Sequence, residues 1–296
     1  MKKIIILSVL LITQDAAPQS LNTNKQKSIK KKQHITRSSK HNVIQKNKHR
    51  PIHLATKFQP DFMIIGVTKC GTTSLYSYMT QHPKVLGGND RKKTPMENKE
   101  QHFFDRNYNK GLDWYKKQFP NKKPRQLIGE ATPGYFWKRG CLAKIAKDCP
   151  DTKFIVIFRD PVKRIISEYF RRQERAEERR SFEKAIQNSK EYDQYLGAGI
   201  YIEHLNRWLT QFPKNQIYIV ILEELIKNPD DEINKIFTFL GIKKHTLHSY
   251  PPHNKASYDK SIINQKTIDD LYDFYQPYNN ELEAFLGRKL PWGTSK

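Results

Sequence analysis

The chain is poor in cysteine, in glycine and in long apolar runs. Three Cys occur in 296 residues, too few for a small fold stapled by disulfides. Thirteen Gly exclude a collagen repeat. No apolar stretch approaches the roughly 20 residues of a membrane-spanning helix, which excludes a multispanning membrane protein. No Asn-x-Ser/Thr triplet is present, so N-glycosylation gives no support for secretion. No His/Cys cluster has zinc spacing, and no metal is expected. Acid is scarce at one end: residues 1–60 hold 13 Lys and Arg against the single carboxylate Asp15, whereas 61–296 hold 40 against 29. Of the overall charge of +23, the body therefore keeps +11. A basic body suits a polyanionic partner: nucleic acid, acidic glycan, phosphorylated cofactor or anionic membrane. Composition does not choose among these.

Lys2-Lys3 precede an apolar run from Ile4 to Ile12. A charged start and a short apolar stretch make the pattern of a secretory signal peptide, too short to cross a bilayer. Ala16 and Ala17 suit a cleavage site; Gln14 and Asp15 do not. Residues 1–17 are expected to be a signal peptide or short signal anchor, which leaves membrane attachment through the N-terminus open. Residues 18–57, rich in Lys, Gln, Asn, Ser and His and free of acid, read as a disordered basic stalk. Lys30-Lys31-Lys32 would also suit a nucleic-acid arm, which the apolar run upstream argues against. The globular domain is expected over 58–296.

Within that body, Phe62–Ile65, Phe154–Phe158 and Ile217–Leu222 are short continuous apolar runs. Helical patterns follow at Ser74–Gln81, Val162–Arg180 and Leu271–Gly287. Strands alternating with helices predict an α/β fold, a P-loop-like three-layer sandwich with a central parallel β-sheet flanked by helices. Continuous apolar strands fit a sheet covered on both faces. Trp208, with Leu205 and Leu209 at helical spacing, reads as core.

The first strand runs into Gly66-Val67-Thr68-Lys69-Cys70-Gly71-Thr72-Thr73-Ser74 and then a helix. Glycines let backbone N–H groups approach an anion, and the helix start points unpaired N–H groups at it. The spacing Gly66-x4-Gly71 matches a P-loop, yet Thr-Thr follows in place of Lys-Ser/Thr, and the lysine lies inside the loop at Lys69. A Mg-ATP site would want it after the second glycine. The second anion motif is Arg159-Asp160-Pro161, which follows a buried strand. Ser167 comes eight residues after Arg159, about two helical turns on, and so returns to the same face.

These two motifs resemble those of sulfotransferases that use 3′-phosphoadenosine 5′-phosphosulfate (PAPS), over most of residues 61–292. The resemblance implies a 5′-phosphosulfate loop of Lys69, Cys70, Gly71, Thr72, Thr73 and Ser74, and a 3′-phosphate site of Arg159 and Ser167. Arg164 is expected to serve the helix structurally. Lys255, in Asn254-Lys255-Ala256-Ser257, falls near the family's nucleotide loop and is assigned to the donor. The stretch Glu100-Gln101-His102-Phe103-Phe104-Asp105, with Gly111-Leu112-Asp113-Trp114-Tyr115, resembles the glycan branch of the secretory pathway, of heparan sulfate or chondroitin type. It implies Glu100 as catalytic base, with His102 as the alternative. Gly129-Glu130-Ala131-Thr132-Pro133 departs from the Glu-Lys-Ser/Thr-Pro of the heparan sulfate enzymes and looks more like the chondroitin-type branch. With Ala131 in that place, Lys69 is expected to carry most of the electrophilic role.

The resulting expectation is sulfuryl transfer from PAPS, as co-substrate and without metal, to a hydroxyl of an anionic, glycosaminoglycan-like glycan. It takes place in the Golgi lumen or outside the cell, with no nucleic-acid partner. Lys92, Lys93, Arg171, Arg172, Arg179 and Arg180 are candidates for an acceptor groove, though a solvated charged face explains any one of them as well. A P-loop nucleoside or sugar kinase, or a non-catalytic polyanion-binding scaffold, are the alternatives. Cys70 is expected to be free. A Cys141–Cys149 disulfide stays open, because it requires the intervening helix to end early.

Overall fold

The computed structural model describes residues 58–87, 99–187, 192–252 and 259–293. The expectations for 1–17 and 18–57, and those for Lys92, Lys93 and Lys255, lie outside the described residues. Five parallel strands form one sheet: β1 (Phe62–Gly66), β2 (Val85–Leu86), β3 (Leu127–Glu130), β4 (Lys153–Phe158) and β5 (Ile217–Ile221), in the order β2-β3-β1-β4-β5. Around it run α1 (Thr72–Thr80), α2 (Gly111–Lys116), α3 (Arg139–Asp148), α4 (Pro161–Glu174), α5 (Phe182–Ile186), α6 (Tyr192–Tyr195), α7 (Tyr201–Leu209), α8 (Leu222–Lys227), α9 (Pro229–Leu240) and α10 (Gln265–Leu286). Every residue of β1, and Phe154 to Phe158 in β4, is buried. Side chains alternate between faces along a strand, so both faces of the central strands are covered, as the apolar runs predict. Trp208 is fully buried and donates its indole N–H to Phe136 O at 2.9 Å; it is core.

The strand order fixes where a ligand fits. The chain leaves central β1, builds β2 and β3 on one side, then crosses to β4 and β5 on the other. Loops leaving the C-terminal ends of β1, β3 and β4 thus diverge around one crevice, the usual ligand site of an open parallel sheet. β1 is also bulged against β4: Ile64 pairs with Ile155, but Gly66 pairs with Val156. The bypassed Ile65 gives its carbonyl to Phe136 N–H at 2.9 Å. The bulge ties the loop after β3 to the end of β1 and re-aims the chain leaving it.

Two expectations change. The helix predicted to run to Arg180 stops at Glu174. Ala176 turns left-handed at φ 55°, and buried Glu178 accepts the backbone N–H groups of Arg179 and Arg180, which a continuing helix would have used. Burial of Glu178 is outweighed by its Arg180 bond, the larger effect, which holds its carboxyl down to about 2. The disulfide left open between Cys141 and Cys149 does not form. Both thiols are free and buried, and α3 runs unbroken from Arg139 to Asp148 between them. At 1.5 Å per residue that helix keeps them about 12 Å apart, too far for a bridge.

Candidate active site

Gly66 and Gly71 make the anion loop for different reasons. A Cβ on Gly66 would stand 2.7 Å from Phe136 Cβ, so only glycine lets the β1 end pack on the loop after β3. Gly71 has φ 87°, a left-handed conformation that favours glycine; a Cβ there would also press on the tip of Leu222 at 2.9 Å. Gly71 also leaves α1 without a side-chain cap. The first N–H groups of a helix have no partner inside it, so those at the start of α1 point into the crevice with the positive end of its dipole. Lys69 precedes them, itself left-handed at φ 68° and half-buried. Burial pulls its ammonium below the usual lysine range, partly offset by Glu168.

The two anion motifs are physically tied. Arg159, at the end of β4, donates Nη1–H to Lys69 O at 3.1 Å. Its own carbonyl accepts Tyr201 O–H at 2.8 Å. Asp160 caps α4 by accepting the N–H groups of Val162 and Lys163 at 2.9 and 3.1 Å, with Pro161 in the first turn. Ser167 is buried on the same helix. Arg164 is fully buried and donates to the carbonyls of Gln194 and Tyr195, a structural role as expected. Thr72 and Ser74 are buried and Thr73 is half-buried. Cys70 turns away from the crevice. Its N–H goes to Val67 O at 3.1 Å, and its thiol is fully buried beside Tyr201 O–H at 3.6 Å. Burial pushes that thiol up to about 11.

A second cluster sits on the segment between β2 and α2. The sequence offers Glu100 or His102 as base; the structure joins them in one chain of contacts. Glu100 Oε2 lies 3.1 Å from His102 Nε2, and His102 Nδ1 lies 3.2 Å from both oxygens of Asp105. Asp105 also takes Lys138 Nζ at 2.7 Å, and Lys99 places its ammonium on Glu100. Bonds to Asp105 and then to Glu100 outweigh burial and push His102 up to about 9. Burial works against the charge of Glu100 and Asp105, but bonds from His102, with Lys99 and Lys138 respectively, hold both carboxyls down to about 2. Near neutral pH the imidazole therefore carries both protons and has no lone pair to offer. Glu100 keeps accepting oxygens, and is the group that can take a proton.

The backbone of this segment hangs on a residue to which the sequence motifs assign no role. Glu130, at the end of β3, is fully buried. Its carboxyl accepts the N–H of Gln101 at 3.2 Å, the hydroxyl of Thr132 at 2.5 Å, and the hydroxyls of Tyr115 and Tyr135. Tyr135 oxygen in turn accepts the N–H groups of Phe103 and Phe104 at 2.8 and 3.3 Å. Burial pushes Glu130 up to about 7, against the pull of these donors. The available signals were Glu130 closing an apolar strand and Asp105 three residues after His102. Neither shows what it touches until β3 and the 99–107 segment are side by side.

Comparison with known proteins adds the following. The Sulfotransferase domain family matches residues 59–268. The chain is 31% identical over 265 residues to heparan sulfate glucosamine 3-O-sulfotransferase 3B1 of Mus musculus, covering 80% of this chain and 66% of that protein. It is 31% identical to heparan sulfate glucosamine 3-O-sulfotransferase 6 of Homo sapiens, covering 79% of this chain and 74% of that one. The chain thus spans just under two thirds of the length of the first of these relatives. Among solved structures, a sulfotransferase from Alicyclobacillus acidocaldarius superposes with a TM-score of 0.64 at 25% identity, covering 79% of this chain and 98% of that one.

Proposed function

The chain belongs to the sulfotransferase domain family, and from that premise we propose that it transfers a sulfuryl group from PAPS to a hydroxyl of a glycosaminoglycan-like glycan. One observation carries the reading: the Arg159–Lys69 hydrogen bond joins two anion motifs across one crevice. A donor with a 5′-phosphosulfate and a separate 3′-phosphate needs such a pair; a nucleoside triphosphate needs one continuous cradle and a metal. The start of α1, with Lys69, Thr72, Thr73 and Ser74, would receive the 5′ end. Arg159 and Ser167 would hold the 3′-phosphate, Arg159 by a charge-assisted fork. Cys70 contributes through the shape of the loop, since its N–H and thiol are already engaged.

In the reaction, a lone pair of the acceptor hydroxyl oxygen forms the new O–S bond. The S–O bond to the 5′-phosphate breaks, and its electron pair leaves on the phosphate oxygen. The hydroxyl proton goes to Glu100. Lys69 and the N–H groups of α1 face the charge that gathers on the leaving oxygen, already oriented before reaction. His102, protonated and braced by Asp105, orients Glu100. The basic body suits an anionic acceptor, and the relatives named for heparan sulfate support that class. Ala131 keeps the chondroitin-type acceptor in view. The charged and apolar start at residues 2–12 supports entry to the secretory pathway, and with it action in the Golgi lumen or outside the cell.

Calorimetry tests the donor site. Adenosine 3′,5′-bisphosphate is expected to bind at micromolar concentration, with little response to Mg-ATP. Preference for Mg-ATP would return the assignment to a kinase. Binding of the bisphosphate without transfer of radiolabelled sulfate to heparan or chondroitin chains would leave a polyanion-binding scaffold.

A further inference from the structure

The segment bearing Glu100 also carries a buried lysine. The Lys99 side chain is only 7% exposed, and its ammonium rests on Glu100 Oε1. Lysine is almost never buried unless it is paired. Its backbone carbonyl accepts the N–H of Ala131 at 2.7 Å, which pins the residue to the end of β3. Ala131 is itself fully buried and brings no charge. The other oxygen of Glu100 faces His102 Nε2 at 3.1 Å. The base is therefore held between two cations.

A carboxylate stabilised by two cations is a weak proton acceptor, and Glu100 strengthens only when one of them leaves. His102 is fixed from its far side, where Asp105 holds Nδ1 at 3.2 Å. The Lys99 ammonium sits at the end of a flexible four-carbon stem whose donors rotate freely. An arriving phosphosulfate supplies a new anion for it.

We propose that Lys99 is a second catalytic lysine, which moves its ammonium from the Glu100 carboxylate to the sulfuryl oxygens when donor and acceptor bind. The proposal rests on the sulfotransferase reading above. The bonds made and broken are those already given: acceptor oxygen to sulfur forms, sulfur to bridging oxygen breaks, and the hydroxyl proton ends on Glu100. The movement of Lys99 strengthens the base and places a positive charge on the group in flight. Lys69 then serves the leaving phosphate and Lys99 the sulfuryl group on its acceptor side.

The test uses the full chain with two neutral variants, Lys99→Met and Lys99→Gln, so that one folded variant suffices. With radiolabelled PAPS and heparan sulfate, kcat is expected to fall roughly 10²–10³-fold, the usual loss of a transition-state donor. Affinity for adenosine 3′,5′-bisphosphate should stay within about twofold, since Lys99 does not hold the nucleotide. Ethylamine added to a third variant, Lys99→Ala, should restore part of the rate. The carboxyl carbon of Glu100, followed by NMR, should titrate at higher pH in Lys99→Met than in wild type. A folded neutral variant with unchanged kcat overturns the proposal, as does an unmoved Glu100 titration. If the wild type binds the bisphosphate but heparan sulfate accepts nothing, only the acceptor assignment fails. Slow release of sulfate from PAPS to water then reads the same Lys99 effect. A wild type that binds no bisphosphate overturns both.

Discussion

Lys69 and His102 show how position sets the chemistry of a side chain. Lys69 stands just past β1 with a left-handed backbone, half out of water, with Glu168 among the charges near it. Replacing it by alanine should lower turnover roughly 10²–10³-fold while the chain stays folded; stopped-assay kinetics beside a melting curve will separate the two. Under the proposed mechanism, Glu100→Gln should abolish transfer and leave bisphosphate binding intact. His102, bonded to Asp105 and Glu100, is pushed up from 6.5 to about 9. A folded-state value above the unfolded one adds stability that is fully present below about pH 6.5 and is lost as pH rises through about 9. Imidazole NMR should therefore show His102 titrating near 9, and Asp105→Asn should bring the midpoint down. A midpoint near 6.5 in the unmodified chain would dissolve the Glu100–His102–Asp105 arrangement.

At the scale of elements, the site is a meeting of strand ends. The bulge in β1 gives Ile65 O to the loop after β3, and Gly66 lets Phe136 close on it. β3 then delivers Glu130, whose buried carboxyl collects N–H and O–H donors from residues 101, 115, 132 and 135. Glu130→Gln sets an NH2 group against those donors and should cost about 1–3 kcal/mol, the usual penalty of an unsatisfied buried polar group. The wild-type carboxyl is raised from 4.5 to about 7 by burial. Its contribution to stability is full below about pH 4.5 and is lost as pH rises through about 7. Denaturant titrations across that range should show a shallower pH slope in Glu130→Gln. An unchanged slope would mean that Glu130 does not titrate there. The end of α4 belongs to the same scale: an apolar pattern that continued past Glu174 could not show that Glu178 would claim two backbone N–H groups.

For the molecule as a whole, the sheet order brings the Lys69 loop, Arg159 and the Glu100 segment to the ends of neighbouring strands, and under the proposed function that is where a donor would add stability. A ligand that binds only the folded state stabilises it by about 2.7 kcal/mol at 100 times its Kd. For a domain of this size that corresponds to roughly 5–10 °C in Tm. Adenosine 3′,5′-bisphosphate should produce such a shift in a melting experiment, and Arg159→Ala should erase most of it. An equal shift with Mg-ATP would contradict the donor assignment. The body charge of +11 should make binding of an anionic glycan weaken steeply with salt, because its surface part is screened.

The α/β class, the central strands, the glycine loop and the Arg159-Asp160-Pro161 turn are legible in the sequence alone, because each is written in neighbouring residues. A buried parallel strand must be apolar throughout, a loop that cups an anion must place glycine where φ is positive, and a helix start must follow it. The sequence also offered Glu100 and His102, but as rivals. That the two are joined by contact, that Asp105 and Glu130 complete their setting, that Cys70 faces the core and that Lys99 lies on Glu100 came only with the fold. Hydrogen bonds made by side chains form through space, and their partners here come from the loop after β1, from β3, from β4 and from the segment before α2, which the sequence separates by up to 90 residues. Burial, which raises the proton affinity of Glu130 and lowers that of Lys69, likewise exists only once the chain has closed around them.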